Sequence, residues 1–303
     1  MKKSVKVTLI VAAALVGLGL CLSAAGFAMG GRFSDLRNLR FDPATGAWEQ
    51  ASTPTPTETL YTGSDYILPE GTDITALDID WISGEVEILV TDDSDILVRE
   101  QPDRETSRSY AMVVTDEGGV LRVRYTSAEF LSLTDLPGKK LTVRLPRAVA
   151  ENLTEVRLNS VSADFDVAAL TVGETFSFAS TSGDLETGPI TAKNAAAKLS
   201  TVSGKIELDG SFHQITGEST SGDYALALRS CPETLELVTV SGSVELKLPD
   251  SMDFQLDYST VSGDLESEVA LQHKDGLYCR GTAAGCAITI VTTSGDLDME
   301  RLS

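Results

Sequence analysis

Apolar and polar residues alternate through most of the chain from residue 60 onward, a period-two pattern that predicts β-strands. The segment KLSTVSGKIEL at 198–208 is representative. Leu199 and Thr201 share one side of an extended chain, and Ile206 and Leu208 continue that side after Gly204. Because side chains alternate across a strand, the residues between them point the other way. The segment therefore predicts two short strands joined at a Ser-Gly corner.

This unit recurs six times. It reads STSGDLE at 180–186, STVSGKIE at 200–207, STSGDYA at 219–225, TVSGSVE at 239–245, STVSGDLE at 259–266 and TTSGDLD at 292–298. The serine before the glycine advances in steps of 21, 18, 20, 21 and 32 residues. A period near 20 residues is typical of a coiled repeat whose successive turns stack on each other. The predicted structural turns are Gly183, Gly204, Gly222, Gly242, Gly263 and Gly295.

Two all-β folds satisfy the pattern. In a parallel β-solenoid with coils of about 20 residues, each Ser-Gly is a corner. In an antiparallel β-sandwich, each Ser-Gly is a hairpin turn, and Thr201 faces Ile206. The near-constant period favours the solenoid, as does a column of hydroxyl residues at 180, 201, 219, 239, 260 and 292, which suits a hydrogen-bonded inner ladder. In either fold the glycines are expected where φ is positive or where two backbones approach closely.

Four regions follow along the chain. Residues 1–30 combine Lys2, Lys3 and Lys6 with 23 uncharged residues, Val7–Met29, which predict a transmembrane anchor, with a cleaved signal peptide as the alternative. Residues 31–60 contain the Thr/Pro-rich stretch STPTPTE and predict a tether. Residues 61–150 are β-rich but irregular, and residues 151–303 form the repeat solenoid. The chain is thus expected to be a single-pass protein of the cell membrane whose C-terminal domain lies outside the cytoplasm.

The charge of the chain is strongly acidic and unevenly distributed. Its net charge is −21, but residues 41–303 carry 18 Lys and Arg against 44 Asp and Glu. A domain of this charge is repelled by nucleic acid, so nucleic-acid binding is excluded as its main role.

Cysteines suggest one covalent bond. Cys279 and Cys286 flank the glycine-containing loop CRGTAAGC, and in an oxidising compartment they could form a disulfide. Cys231 has no evident partner in the sequence. The alternative is that all of them are buried as small apolar residues.

The sequence predicts no catalytic residues and no cofactor. The chain has only two histidines, in unrelated settings, and no nucleotide-binding motif. Two columns of carboxylates follow the glycines and predict either a solvated face or weak divalent-cation binding. Their members are Asp184, Asp223, Asp264, Asp296, Glu186, Glu207, Glu245 and Glu266. A carboxylate pair for glycoside hydrolysis is disfavoured because aromatic residues make up only 6% of the chain.

The motifs together resemble a known family. The segments ALDIDWISGEVEIL and LTVRLPRAV, the Ser-Gly units and the closing AITIVTTSGDLDM are similar to the bacterial putative-adhesin family of β-strand repeat proteins, domain of unknown function 4097. The resemblance covers residues from about 67 to 303. It implies a membrane-anchored protein of Gram-positive bacteria with no established catalytic residues, in a family with some relatives tied to envelope stress.

Three hypotheses of function follow. The first is a non-enzymatic cell-envelope protein, adhesin-like or associated with envelope stress, that is held to the membrane by its N-terminal helix and binds an envelope protein, a glycan or a peptide. The second is a self-assembling structural scaffold. The third is a polysaccharide-active β-helix enzyme.

Overall fold

The computed structural model describes residues 39–42, 47–50, 60–108, 111–125, 137–274, 276–281 and 285–302. The predicted span Val7–Met29 and most of the predicted tether lie outside these ranges. Within them, no helix has both the length and the apolar character needed to cross a membrane.

About two thirds of the described residues lie in β-strands. The elements that precede the Ser-Gly repeats are β1 (Leu39–Asp42), β2 (Ala47–Gln50), β3 (Leu60–Tyr61), β4 (Ser64–Leu68), β5 (Ala76–Thr91), β6 (Ile96–Pro102), β7 (Thr106–Ser107), β8 (Val113–Glu117), β9 (Val120–Arg124), β10 (Lys139–Pro146) and the short helix α1 (Arg147–Ala150).

The repeats then build the remaining strands. These are β11 (Leu153–Val167), β12 (Leu170–Ser180), β13 (Leu185–Thr187), β14 (Ile190–Thr201), β15 (Ile206–Ser219), β16 (Tyr224–Leu228), β17 (Thr234–Thr239), β18 (Val244–Leu248), β19 (Phe254–Ser259), β20 (Leu265–Ser267), β21 (Gln272–Lys274), β22 (Leu277–Arg280), β23 (Ala287–Val291) and β24 (Leu297–Arg301).

Twenty strands form one continuous sheet that winds as a parallel β-solenoid. One turn of the winding is called a rung here. Face 1 holds the strand segments before the Ser-Gly corners, namely β9, the first half of β5, the first half of β11, the second halves of β12, β14 and β15, then β17, β23 and β19. Face 2 holds the segments after the corners, namely β10, the second halves of β5 and β11, β13, the first half of β15, then β16, β18, β24 and β20.

The antiparallel sandwich alternative is therefore wrong. Thr201 pairs in parallel with Ser180 and Ser219 of the neighbouring rungs, and not with Ile206 across its own corner. Ile206 pairs with Leu185 and Tyr224. Each residue thus lies beside its equivalent about 20 positions away, as the near-constant period predicts.

The core lies between the two faces. Inward positions alternate with outward ones, so that β16 and β18 both show a strict buried–half-buried pattern. Four phenylalanines fill one part of it: the rings of Phe165 and Phe178 have centroids 5.8 Å apart, and those of Phe176 and Phe212 are 6.4 Å apart. Burial of these apolar side chains is the main stabilising term of the solenoid.

The rungs do not follow chain order at the C-terminal end. Strand β17 pairs with β23, and β19 pairs with the other edge of β23. On face 2, β24 similarly lies between β18 and β20. The last rung of the sequence is therefore inserted between the two rungs that precede it, and the long step of 32 residues corresponds to the β21–β22 hairpin that returns the chain.

The six corner glycines allow the rungs to approach closely. None of them has a φ angle in the left-handed region, so positive φ is not the reason for glycine. Instead, a Cβ added at Gly204 would lie 2.1 Å from the carbonyl oxygen of Gly183, and one at Gly242 would lie 2.0 Å from that of Gly222. Of the two reasons expected for these glycines, the close backbone approach applies.

The hydroxyl column has a different role from the expected ladder. Its members stack at one depth, but each hydroxyl bonds within its own corner and not to the next hydroxyl. The glycine N–H donates to the hydroxyl three residues earlier, for example Gly204 to Thr201 Oγ1 at 2.9 Å and Gly242 to Thr239 Oγ1 at 3.0 Å. The side chain thereby satisfies a backbone donor that the corner would otherwise bury.

The region before the repeats closes one end of the solenoid around a buried ion pair. Strand β5 forms the first full rung, and the antiparallel pairs β8–β9 and β6–β10 flank it. Lys139 Nζ lies 3.3 Å from Glu100 Oε2, and both side chains are fully buried. The ammonium also lies 4.0 Å from the ring centroid of Tyr125 and 5.6 Å from that of Trp81. Burial lowers the pKa of Lys139, and the charge of Glu100 opposes that change.

Substitution at a corner should test the close approach. We expect Gly242→Ala to lower the free energy of unfolding by about 1–3 kcal/mol, because the new methyl group overlaps a backbone carbonyl. Gly173→Ala is the matched control, since a Cβ there meets its nearest atom at an ordinary 3.7 Å and the φ angle is not positive. Urea unfolding of both variants measures the difference. Equal midpoints would contradict a steric role for the corner glycine.

The buried pair should be coupled. Lys139→Met leaves the carboxylate of Glu100 buried without its cation and should cost about 3–5 kcal/mol of stability. Lys140→Met, the neighbouring exposed lysine that pairs with Glu85 and Glu87, should cost at most about 1 kcal/mol.

A double-mutant cycle with Glu100→Gln measures that coupling. We expect Lys139→Met with Glu100→Gln to be less destabilised than the sum of the single variants, because the neutral amide needs no counter-charge. If the loss of unfolding free energy in the double variant equals the sum of the losses in the two single variants, the pair is not coupled.

Candidate functional surface

The predicted carboxylates lie on face 2 and at the corners that lead into it. Asp184, Asp223, Asp264 and Asp296 follow the glycines, and their side chains point away from the core. Glu186, Glu207, Glu245 and Glu266 lie two positions further along the strands of face 2. The repeat thus places both columns on one outer surface, which is called the acidic face here.

The aspartates of the corner column bind neighbouring rungs. The N–H of Lys205 donates to Asp184 Oδ1 at 2.7 Å, and that of Ser243 donates to Asp223 Oδ1 at 2.8 Å. The N–H of Asp264 donates to Asp296 Oδ1 at 2.8 Å. Asp164 of the degenerate copy at 160–166 does the same for the N–H of Asp184. Such charge-assisted bonds offset part of the repulsion between stacked carboxylates.

Two lysines lie beside the glutamate column and form ion pairs with it, and the sequence analysis missed their role. Lys205 forms an ion pair with Glu207, and Lys247 pairs with Glu245 at 2.5 Å and Glu300 at 3.4 Å. Hydrogen bonding to these glutamates raises the pKa of both lysines. The spacing of each lysine two residues from its glutamate was a visible signal, because residues i and i+2 share one side of a strand.

The acidic residues do not converge into a metal site. Within the described part of the chain, no three His, Cys, Asp or Glu side chains are grouped so as to hold a metal ion. The acidic face instead carries shallow open depressions. One of about 400 Å³ is lined by Glu85, Asp166, Glu186, Glu207 and neighbouring residues, and one of about 140 Å³ lies above Ala225 and Ala227.

A wider depression lies at the end where the solenoid begins. Its volume is about 690 Å³, and it lies between the 69–75 loop, the 91–96 loop and α1. Asp73, Asp92 and Asp93 contribute carboxylates, and Arg147 pairs with Asp92 at 3.2 Å at the surface. The lining carries both acidic and basic side chains and is open to solvent. The ion pair that it contains, Arg147 with Asp92, is exposed and not buried.

The disulfide that the sequence allows between Cys279 and Cys286 is not formed in this structure, where both thiols are free. Cys279 on β22 lies opposite Gln255 of β19, and β23, which begins one residue after Cys286, pairs with the other edge of β19. Two strand spacings of about 4.8 Å therefore separate the two cysteine backbones. Cysteines more than about 7 Å apart between Cα atoms cannot form a disulfide without backbone movement.

Comparison with known proteins agrees with the fold. The Toastrack DUF4097 family model matches residues 74–300, which includes the first rung, the capping strands and every Ser-Gly unit. No protein with a curated description is significantly similar to the chain.

Several solved structures are similar over most of the chain. A putative adhesin from Bacteroides fragilis is 13% identical, with a TM-score of 0.44, and the match covers 82% of this chain and 99% of that one. A putative adhesin from Parabacteroides distasonis is 13% identical, with a TM-score of 0.42 and coverage of 78% and 96%. A putative cell adhesion protein from Clostridium sporogenes is 10% identical, with a TM-score of 0.35 and coverage of 80% and 100%.

The family model matches residues 74–300, and this range contains the parallel rungs and their Ser-Gly corners. The chain belongs to the Toastrack DUF4097 family.

Proposed function

We propose that this chain is a non-enzymatic protein of the cell envelope that presents the acidic face of its solenoid to a partner, as an adhesin-like or envelope-stress binding module. The observation that carries the proposal is the repeated, outward-facing carboxylate surface on a rigid stack of rungs. The predicted anchor at Val7–Met29 would hold that surface outside the cytoplasmic membrane.

The nature of the surface supports binding over catalysis. Its depressions are shallow and open, whereas active sites are concave and surround their substrate. In the described part of the chain, the large hydrophobic side chains that are exposed are Ile67, Val113 and Val261, none of which is aromatic. An enzyme acting on polysaccharide would be expected to present aromatic platforms, so the third hypothesis has no support from this surface.

Charge indicates the class of partner. The outward positions of face 2 are dominated by Asp and Glu, whereas those of face 1 are mixed, with Ser177, Ser200 and Thr216 beside Glu218 and Glu236. Complementary charge steers association and contributes to specificity. We therefore propose that the partner carries basic groups, whether it is an envelope protein, a peptide or a glycan with amino groups.

A scaffold remains the second candidate, because one edge of the terminal rung is uncovered. Among the described residues, β20 pairs only with β24, so its outer edge could accept a strand from another molecule. Asp264 and Glu266 line that edge, and like charges would oppose stacking of identical ends. This opposition favours the binding module.

Charge reversal on each face tests the binding surface. The full chain would be measured against an immobilised lysine-rich peptide and against chitosan, with their acetylated forms as neutral controls. We expect Glu186→Lys with Glu207→Lys to weaken binding at low salt by about tenfold or more, because it reverses charge on the acidic face. The matched control is Glu218→Lys with Glu236→Lys, which makes the same net change on face 1. If both double variants lose the same binding affinity, the interaction depends only on the net charge of the chain. That result would contradict a specific binding surface on face 2.

Calcium should have no specific effect on this surface. Asp184, Asp223 and Asp296 already accept backbone N–H groups, and two of the glutamates pair with lysines, so these residues offer no cage of six or more oxygens. We expect calcium chloride and sodium chloride to shift the melting temperature equally at matched ionic strength, as screening alone requires. A larger rise with calcium would restore the cation hypothesis.

A further inference from the structure

Cys231 and Cys286 meet where the inserted rung begins. Cys231 lies in the turn before β17, and Cys286 immediately precedes β23. The two strands are neighbours, with Thr234 opposite Ala287. The N–H of Ala287 donates to the carbonyl of Glu233 at 3.2 Å, so the two turns are joined directly before their strands begin.

The side chains are also close to each other. Each thiol lies near enough to influence the pKa of the other. Cys231 Sγ donates to the carbonyl of Asp253 at 3.8 Å, and a Cβ added at Gly285, next to Cys286, would lie 3.8 Å from that same sulfur. Both cysteines pack against the apolar core, which fixes their relative position.

The two thiols differ in access. Cys286 is buried, with 5% of its surface exposed, whereas Cys231 is half-buried. Burial raises the pKa of both thiols, so each is mostly protonated near neutral pH and must lose its proton before it attacks a disulfide. A reaction between them therefore starts at the more accessible sulfur of Cys231.

We propose that Cys231 and Cys286 form a disulfide bond in the exported protein by exchange with a disulfide oxidant. The Cys231 thiolate attacks one sulfur of the oxidant, forms a mixed disulfide and releases one thiol. The Cys286 thiolate then attacks the Cys231 sulfur and releases the second thiol. The two protein thiols lose two electrons, the oxidant disulfide gains them, and the two protons pass to the released thiols. The oxidising compartment rests on the export contained in the proposed function.

The bond would secure the rung that is out of chain order. It would join the turn before β17 to the start of β23, and so hold β23 between β17 and β19. It closes a loop of about 55 residues, a length at which cross-links restrict the unfolded chain substantially. Cys279 takes no part, because β19 separates it from Cys286.

The test oxidises the reduced, purified full chain in a glutathione redox buffer and maps the bond by mass spectrometry of peptides. We expect a Cys231–Cys286 linkage, the loss of two hydrogens, and a melting temperature about 5–10 °C higher than in dithiothreitol. Cys279→Ser should keep this redox-dependent rise, and Cys231→Ser, at the half-buried position, should lose it. A Cys279–Cys286 linkage, or no linkage in Cys279→Ser, would overturn the proposal.

Thiol trapping in cells separates this inference from the proposed function. Acid-quenched cells are alkylated, and the accessibility of the repeat domain to added protease is measured in parallel. Oxidised Cys231 and Cys286 support the proposal. Reduced thiols in a protease-accessible domain overturn the disulfide while leaving export intact. Reduced thiols in a protected domain overturn export, and the cellular disulfide with it, even where the purified protein forms the bond.

Discussion

The structure depends on how closely consecutive rungs approach at their corners. The carbonyl oxygen of Gly183 occupies the space that a Cβ at Gly204 would need, and the carbonyl of Gly222 does the same for Gly242. At this separation the serine N–H at each corner reaches the preceding rung, as Ser221 does to the carbonyl of Val202 at 2.7 Å. Any residue larger than glycine would push the rungs apart there. The parallel hydrogen bonds on both faces require the rungs to stay at strand spacing.

The same corner couples the fold to the surface that it presents. Asp184, Asp223 and Asp296 each accept an N–H from a neighbouring rung, so part of the negative charge of the acidic face stabilises the stack. A column of like charges at strand spacing would otherwise destabilise it. Lys205 and Lys247 reduce the repulsion further along the strands. An acidic face of this kind can therefore be rigid without a bound cation, as the proposed binding of a basic partner requires.

Much of this fold could be predicted from the sequence, because the repeat records which residues are equivalent. The alternation of side chains at Leu199, Thr201 and Ile206 predicted which side of each strand faces the core. The repeat period of about 20 residues predicted that the strands stack in parallel. The N–H donors to the corner aspartates could not be predicted, since each donor lies on another rung and has no local signal. The burial of Lys139 could have been predicted but was missed. Lys139 lies on the same side of β10 as Leu141 and Val143, so the alternation places its charge among buried positions.

The order of the rungs could not be predicted either, and the reason is physical. Every rung presents a similar corner and apolar inward residues, so the repeat pattern alone does not distinguish the rung at 287–301, which pairs with 234–248, from the rung at 254–267. A repeat specifies that the rungs stack, but it only weakly specifies the order in which they stack. Particular contacts must then select one order. The β21–β22 hairpin selects it from one side, because β22 occupies one edge of β19, so β19 has a single free edge and cannot lie between β17 and β23. The contact between Cys231 and Cys286 exists only in the observed order, so a covalent bond there would make that order permanent.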